Sequence, residues 1–106
     1  MATEANWQQF NTVGGNYNTI VGGVLASANN LPTPDHLIHH VSGTALIKTI
    51  PVPYTNFAGM LILIPDAIFT WDATGNIALG GTAVVNKALQ LIYDNNAGKW
   101  IPSYIA

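Results

Sequence analysis

The sequence contains no cysteine and no arginine, and only 8% of its 106 residues are charged. Without cysteine there are no disulfides and no zinc–thiolate site, so the chain holds together by packing alone. Three lysines against five acids give a net charge of −2. That balance argues against nucleic-acid binding, which rests on clustered cations neutralising phosphates. Long apolar runs are missing too. The densest, Met60–Ile64, is strand-sized and far short of the ~20 residues of a membrane-spanning helix. The start, Met-Ala-Thr-Glu, lacks the basic and apolar regions of a secretory signal, so assembly in a reducing cytoplasm is the expectation. Ser27, Ser42 and Ser103 lie in no Gly-x-Ser-x-Gly pattern, and no glycine-rich point leads into the lysine of a phosphate loop.

What is there is 49% hydrophobic, ordinary for a globular domain, whereas the charged fraction is about a third of the usual ~25%. Polarity must come from Asn, Thr, Gly, Ser and Gln. A chain of this length is one domain, burying roughly 65% of the surface it exposes when unfolded. Such composition opposes disorder. It also removes the charge repulsion that keeps monomers apart, which points to association as a purpose.

Two regions differ. Between Glu4 and Asp35 there is no charged residue, and the stretch carries Gly14–Gly15 and Gly22–Gly23. Trp7 and Phe10, three apart, would share one face of a short helix. Leu31-Pro-Thr-Pro34 reads as extended, because proline fixes its own φ and keeps its predecessor out of the helical region. Residues 1–34 are therefore expected to be an arm or edge element. Residues 35–106 are expected to form a β-domain, with strands at 36–41, 44–50, 60–64, 67–71, 76–79, 82–85, 87–93 and 99–105. Turn signals separate them at about 8–12-residue intervals, the spacing of a sandwich or barrel. Met60–Ile64 is apolar on both faces, as a central strand covered on both sides would be. Pro102 marks its strand as an edge. The expected fold is all-β: a small antiparallel sandwich or barrel with an extended N-terminal arm.

Candidate chemistry is sparse. On a strand, His36 and His40 share a face while His39 points the other way, and residues four apart lie roughly 13 Å from each other. That spacing excludes one ion within one chain, so no metal or other cofactor is expected; ligation across a subunit axis stays open. Asp66 and Asp72 flank 67–71 near aromatics, as a glycosidase pair would, but both sit in turn contexts where Asp bonds nearby backbone. Trp7, Trp71, Trp100, Tyr54 and Tyr104 could stack sugars, or form core and subunit contacts.

Taken together, the segments His39–Ile50, Gly59–Asp66, Gly75–Leu79, Thr82–Val85, Leu89–Asp94 and Lys99–Tyr104 resemble a β-module of tailed-bacteriophage virion proteins. It is found in tail-fibre and spike segments and in small stand-alone head proteins. The resemblance covers about two-thirds of the chain and implies a trimeric, β-rich structural module without catalytic residues. A stand-alone chain of this size is short for a fibre and suits a capsid decoration, or cement, protein. Its partners would be its own copies and the major capsid protein, on the outer capsid surface of the virion. On that reading Trp7, Phe10, Val21, Val24 and Leu25 are candidate capsid contacts, and His36, His39, His40, Trp100 and Tyr104 candidate inter-subunit contacts. The alternatives are a fibre or head-fibre module binding host surface glycan, and a small hydrolase using Asp66 and Asp72. Removing residues 1–34 is expected to leave the β-domain folded.

Overall fold

The turn-separated apolar segments after Pro34 become seven strands, and an eighth forms ahead of it, in a computed structural model, which describes residues 21–105. They are β1 (Leu25–Ala26), β2 (Ile38–Ser42), β3 (Leu46–Ile47), β4 (Gly59–Pro65), β5 (Thr70–Trp71), β6 (Gly81–Thr82), β7 (Leu89–Asp94) and β8 (Lys99–Pro102). The described residues contain no helix. The helix expected around Trp7 and Phe10 lies outside them.

The strands form a five-stranded sheet in the order β1-β2-β4-β7-β8 and a three-stranded sheet in the order β3-β5-β6. The all-β, sandwich-like expectation holds. Its antiparallel part is corrected, because both sheets are mixed. β1 with β2, β2 with β4, and β3 with β5 run parallel; β4 with β7, β7 with β8, and β5 with β6 run antiparallel. Parallel pairing needs a crossover of roughly a dozen residues or more. The chain supplies one between β2 and β4, where residues 43–58 leave the larger sheet, form β3 in the smaller one and return. Hairpin-length connection is kept only where the turn chemistry dictates it. Between β7 and β8 the Asp94 carboxylate accepts from the Asn96 amide at 3.0 Å, and Gly98, at φ +66, donates its amide to the Asp94 carbonyl at 2.8 Å. A left-handed residue here favours glycine.

The core lies between the sheets. Leu61, Leu63, Leu89, Leu91 and Trp100 face it from the larger sheet, and Ile47, Phe69 and Trp71 come from the smaller-sheet side. Ile50 and Ile77, on the connections, fill in between. The core is closed by one node of polar bonds. Asn76 accepts from the Ile50 amide at 2.9 Å and donates to the Ile50 carbonyl at 2.7 Å, and the Trp100 indole donates to the same carbonyl at 2.9 Å. The Asn76 side chain thus acts as a piece of strand. Only a single bridge, Ile77 to Trp100, forms where a strand at 76–79 is expected. Trp71 Nε1 is buried without a partner.

Within the segment read as an arm or edge element, Leu25–Ala26 is the edge strand of the larger sheet. Leu25 and Leu31 are buried in the core; the Leu31 amide donates to the Thr49 carbonyl, and the Asn29 carbonyl accepts from the Lys48 and Thr49 amides. The packing therefore has no break at residue 34. At the other edge, β8 ends the sheet with Pro102, which has no amide to donate.

Candidate functional site

The larger sheet has two unlike faces. Odd-numbered positions of β4 and β7 point into the core. Even-numbered positions point outward, and cross-strand register gathers them into rows: Ile38 beside Ile62, Met60 beside Ile92, and Ile92 beside Ile101. Ile64 extends the patch next to His40. Met60, Ile92 and Ile101 are 44%, 56% and 43% exposed, and Ile38, Ile62 and Ile64 are half-buried. No described strand lies over this face. The two-sided apolarity of 60–64 thus belongs to a central strand with one side in the core and the other uncovered among the described residues. Polar groups edge the patch: His40 Nδ1 lies 2.7 Å from the Asp66 carboxylate, and Gln90 pairs with Ile62.

The histidines form a second cluster. Their sequence reading assumed a strand from residue 36, but β2 begins at Ile38 and His36–Leu37 is a bend. The bend brings Asp35, His36 and His39 together, with their donor atoms within 4.8 Å of one another. This corrects the spacing argument against convergence within one chain. The hydrogen bonds nevertheless show what the cluster does. His39, 1% exposed, receives the amides of Asp35 and His36 at Nε2, at 3.2 and 3.1 Å. Nε2 must therefore carry the lone pair, and Nδ1–H donates to the Gly23 carbonyl at 2.7 Å. With both ring nitrogens engaged, no lone pair of His39 is free for a metal. Gly22 makes the contact feasible, because a Cβ there would collide with the rings of His36 and His39. His39 fastens the 22–23 segment to the turn before β2. Asp35 accepts from His36 Nδ1 at 2.7 Å, and this bond, more than any other influence, holds its carboxyl below the ordinary value.

The remaining candidates fall into place individually. Val21 and Val24 are exposed, but Leu25 is in the core and offers little to a capsid partner. Trp7 and Phe10 lie outside the described residues. Of the proposed inter-subunit residues, His39 and Trp100 are corrected: each is 1% exposed and engaged within the chain. Tyr104 is half-buried, donating to the Lys87 carbonyl at 2.9 Å beneath the Lys87 ammonium. His36 and His40 keep partial exposure, and His40 stands on the uncovered face. Trp71, offered for sugar stacking, is also buried. The two aspartates of the hydrolase alternative serve other partners. Asp66 pairs with His40, while Asp72 accepts from the Thr74 hydroxyl at 2.6 Å and its amide at 3.0 Å, bonds that lower its carboxyl.

A cavity of about 320 Å³ opens on the side of the histidine turn, walled by Pro34, Asp35, His36, Tyr54, Phe57 and Trp100. Sequence reasoning singled out Tyr54 and Trp100 but missed Phe57, whose ring stands 5.4 Å from that of Tyr54 and 5.8 Å from that of Trp100. Its only signal was its place in the aromatic loop after Pro53. Among the described residues, no helix is long and apolar enough to cross a membrane. No protein-family model, no curated protein and no solved structure matches the chain.

Proposed function

We propose that this chain is a virion structural protein of a tailed bacteriophage, working by association rather than by chemistry, as a homotrimeric capsid decoration protein. The observation that carries the association is the apolar face built by Ile38, Met60, Ile62, Ile64, Ile92 and Ile101, which no described strand covers. Burying apolar surface is worth roughly 25 cal/mol per Å², so a face of this kind gains most from a partner of matching character. The surrounding surface carries few charges to oppose it, with 8% charged residues in the whole chain. The resemblance of 39–104 to phage virion modules supplies the threefold order and the capsid partner; the face itself requires only a cover. Val21 and Val24, exposed beside the larger sheet's edge strand, are suited to a capsid contact next to that cover.

The hydrolase reading has no support in the site, since Asp66 and Asp72 are engaged with His40 and Thr74. The glycan-binding alternative loses Trp71 and Trp100 to the core and keeps, among the described candidates, Tyr54 and the half-buried Tyr104. The test is co-sedimentation with phage capsids before and after expansion. A decoration protein binds expanded capsids and leaves precursor capsids bare, because its site is completed by the expanded lattice. A stable monomer that sediments with neither form contradicts the proposal.

A further inference from the structure

The cavity beside the histidine turn is apolar, yet a charged group stands in its wall. Its lining combines Tyr54, Phe57 and Trp100 with Pro34, and includes the titratable pair Asp35 and His36. At about 320 Å³ it sits near the small end of ligand sites, which span roughly 300–1,000 Å³. That suits a group of a few heavy atoms rather than an oligosaccharide. A sugar ring brings hydroxyls all round, and hydroxyls buried without partners are costly; this wall satisfies few of them.

The charge has no lysine to offset it here: none of Lys48, Lys87 and Lys99 lines the cavity. Lys99 donates to the Gly75 carbonyl at 2.8 Å, and Lys87 lies over the Tyr104 ring. Asp35 is 74% exposed at its side chain, and its lowered carboxyl keeps it ionised at neutral pH. The rings are fixed in advance. Tyr54 and Phe57 meet nearly at right angles, 84° apart, in a turn closed by the Phe57 amide on the Tyr54 carbonyl at 3.2 Å, with Asn56 at φ +64. The Phe57 ring lies against Gly59, where an added Cβ would be 3.0 Å from it. Perpendicular aromatic rings beside a carboxylate form the chemical environment that attracts an organic cation.

We propose that the cavity between the Asp35–His36 turn and the Tyr54–Phe57 loop binds an organic ammonium group carried on a small apolar body. The full-length chain is titrated with choline chloride and, separately, with its uncharged isostere 3,3-dimethylbutan-1-ol, following amide resonances by NMR. The pH is held above the ordinary imidazole range, so that histidine charge does not compete. A sodium chloride titration sets the background. Choline is expected to shift residues 35–37 and 54–60 and to bind about tenfold more tightly than the isostere, the size of a cation–π contact plus an exposed ion pair. Asp35→Asn weakens choline several-fold while leaving the isostere unchanged, and Tyr54→Ala weakens choline more than the isostere. Both side chains are well exposed, and the wild-type comparison of the two probes stands without either variant. Equal binding of choline and isostere overturns the proposal, as does the absence of shifts beyond the salt background. Glucose shifting the same residues in place of choline also overturns it, and restores the glycan reading.

Discussion

Leu63 and Leu91, each 1% exposed, sit on neighbouring central strands of the larger sheet with the smaller sheet opposite. Truncating either to Ala leaves a cavity the flanking strands cannot collapse, at a cost of about 2–5 kcal/mol. Urea denaturation measures this directly, and a neutral result would mean that the side chain does not face the core. His39 is a different kind of core residue. Replacing it with Ala leaves the Asp35 and His36 amides and the Gly23 carbonyl without their partner, at about 1–3 kcal/mol. Faster amide exchange across 22–26 would accompany the loss. The acidic side chains set the pH response. Asp35 and Asp72 are both lowered from 3.8, the first chiefly by the His36 hydrogen bond and the second chiefly by the Thr74 hydroxyl. A carboxyl depressed in the folded state contributes stability above its unfolded value and loses it as pH falls through the folded one. Both contributions are therefore complete at neutral pH and disappear only below 3.8. Asp72→Asn should flatten the acid limb of a stability–pH curve and leave the neutral plateau intact. An unchanged acid limb contradicts the Thr74 cap.

At the scale of elements, the segment ahead of Pro34 decides more than its composition suggests. Deleting residues 1–34 removes β1 together with Leu25 and Leu31 from the core. The expected outcome is an unfolded or strongly destabilised chain by circular dichroism; an unaffected melt would show that the core closes without them. Sequence reading expected the opposite, because Leu31-Pro-Thr-Pro34 looks like a linker, and nothing local shows that the Leu31 amide is held by the Thr49 carbonyl. Strand locations were legible where a dense apolar run marks them, as at β4, or where alternation is strong, as at β7. Their pairing was not, since parallel partners are joined through residues 43–58 and no turn dipeptide announces them. The histidine cluster was missed for a related reason: a strand geometry was assumed through His36–Leu37, where the chain bends. Asn76 escaped notice because side-chain mimicry of a strand leaves no periodic trace. Gly75 beside it has one, since a Cβ there would strike the Lys48 carbonyl. Gly75→Ala should accordingly force the 48–50 and 75–77 segments apart.

At the scale of the whole molecule, sparse charge and a two-faced central strand converge on one surface. Twelve large hydrophobic side chains are exposed among the described residues, but single exposed residues of this kind are ordinary. What distinguishes the outer face of the larger sheet is contiguity, because register places Met60, Ile92 and Ile101 side by side. Contiguous exposed apolar patches mark interaction sites. The Met60–Ile64 run reads in sequence as a strand covered on both sides, and only the three-dimensional arrangement shows that the described strands leave its outer side open. The most direct test is the solution mass of the full chain by light scattering, beside that of an Ile92→Lys variant. A homotrimer is expected for the wild type. For the variant, a monomer with an unchanged urea midpoint is expected, since residue 92 packs against no core. A wild type that remains monomeric at high concentration, or a variant that assembles as well as the wild type, contradicts the assignment of this face to association.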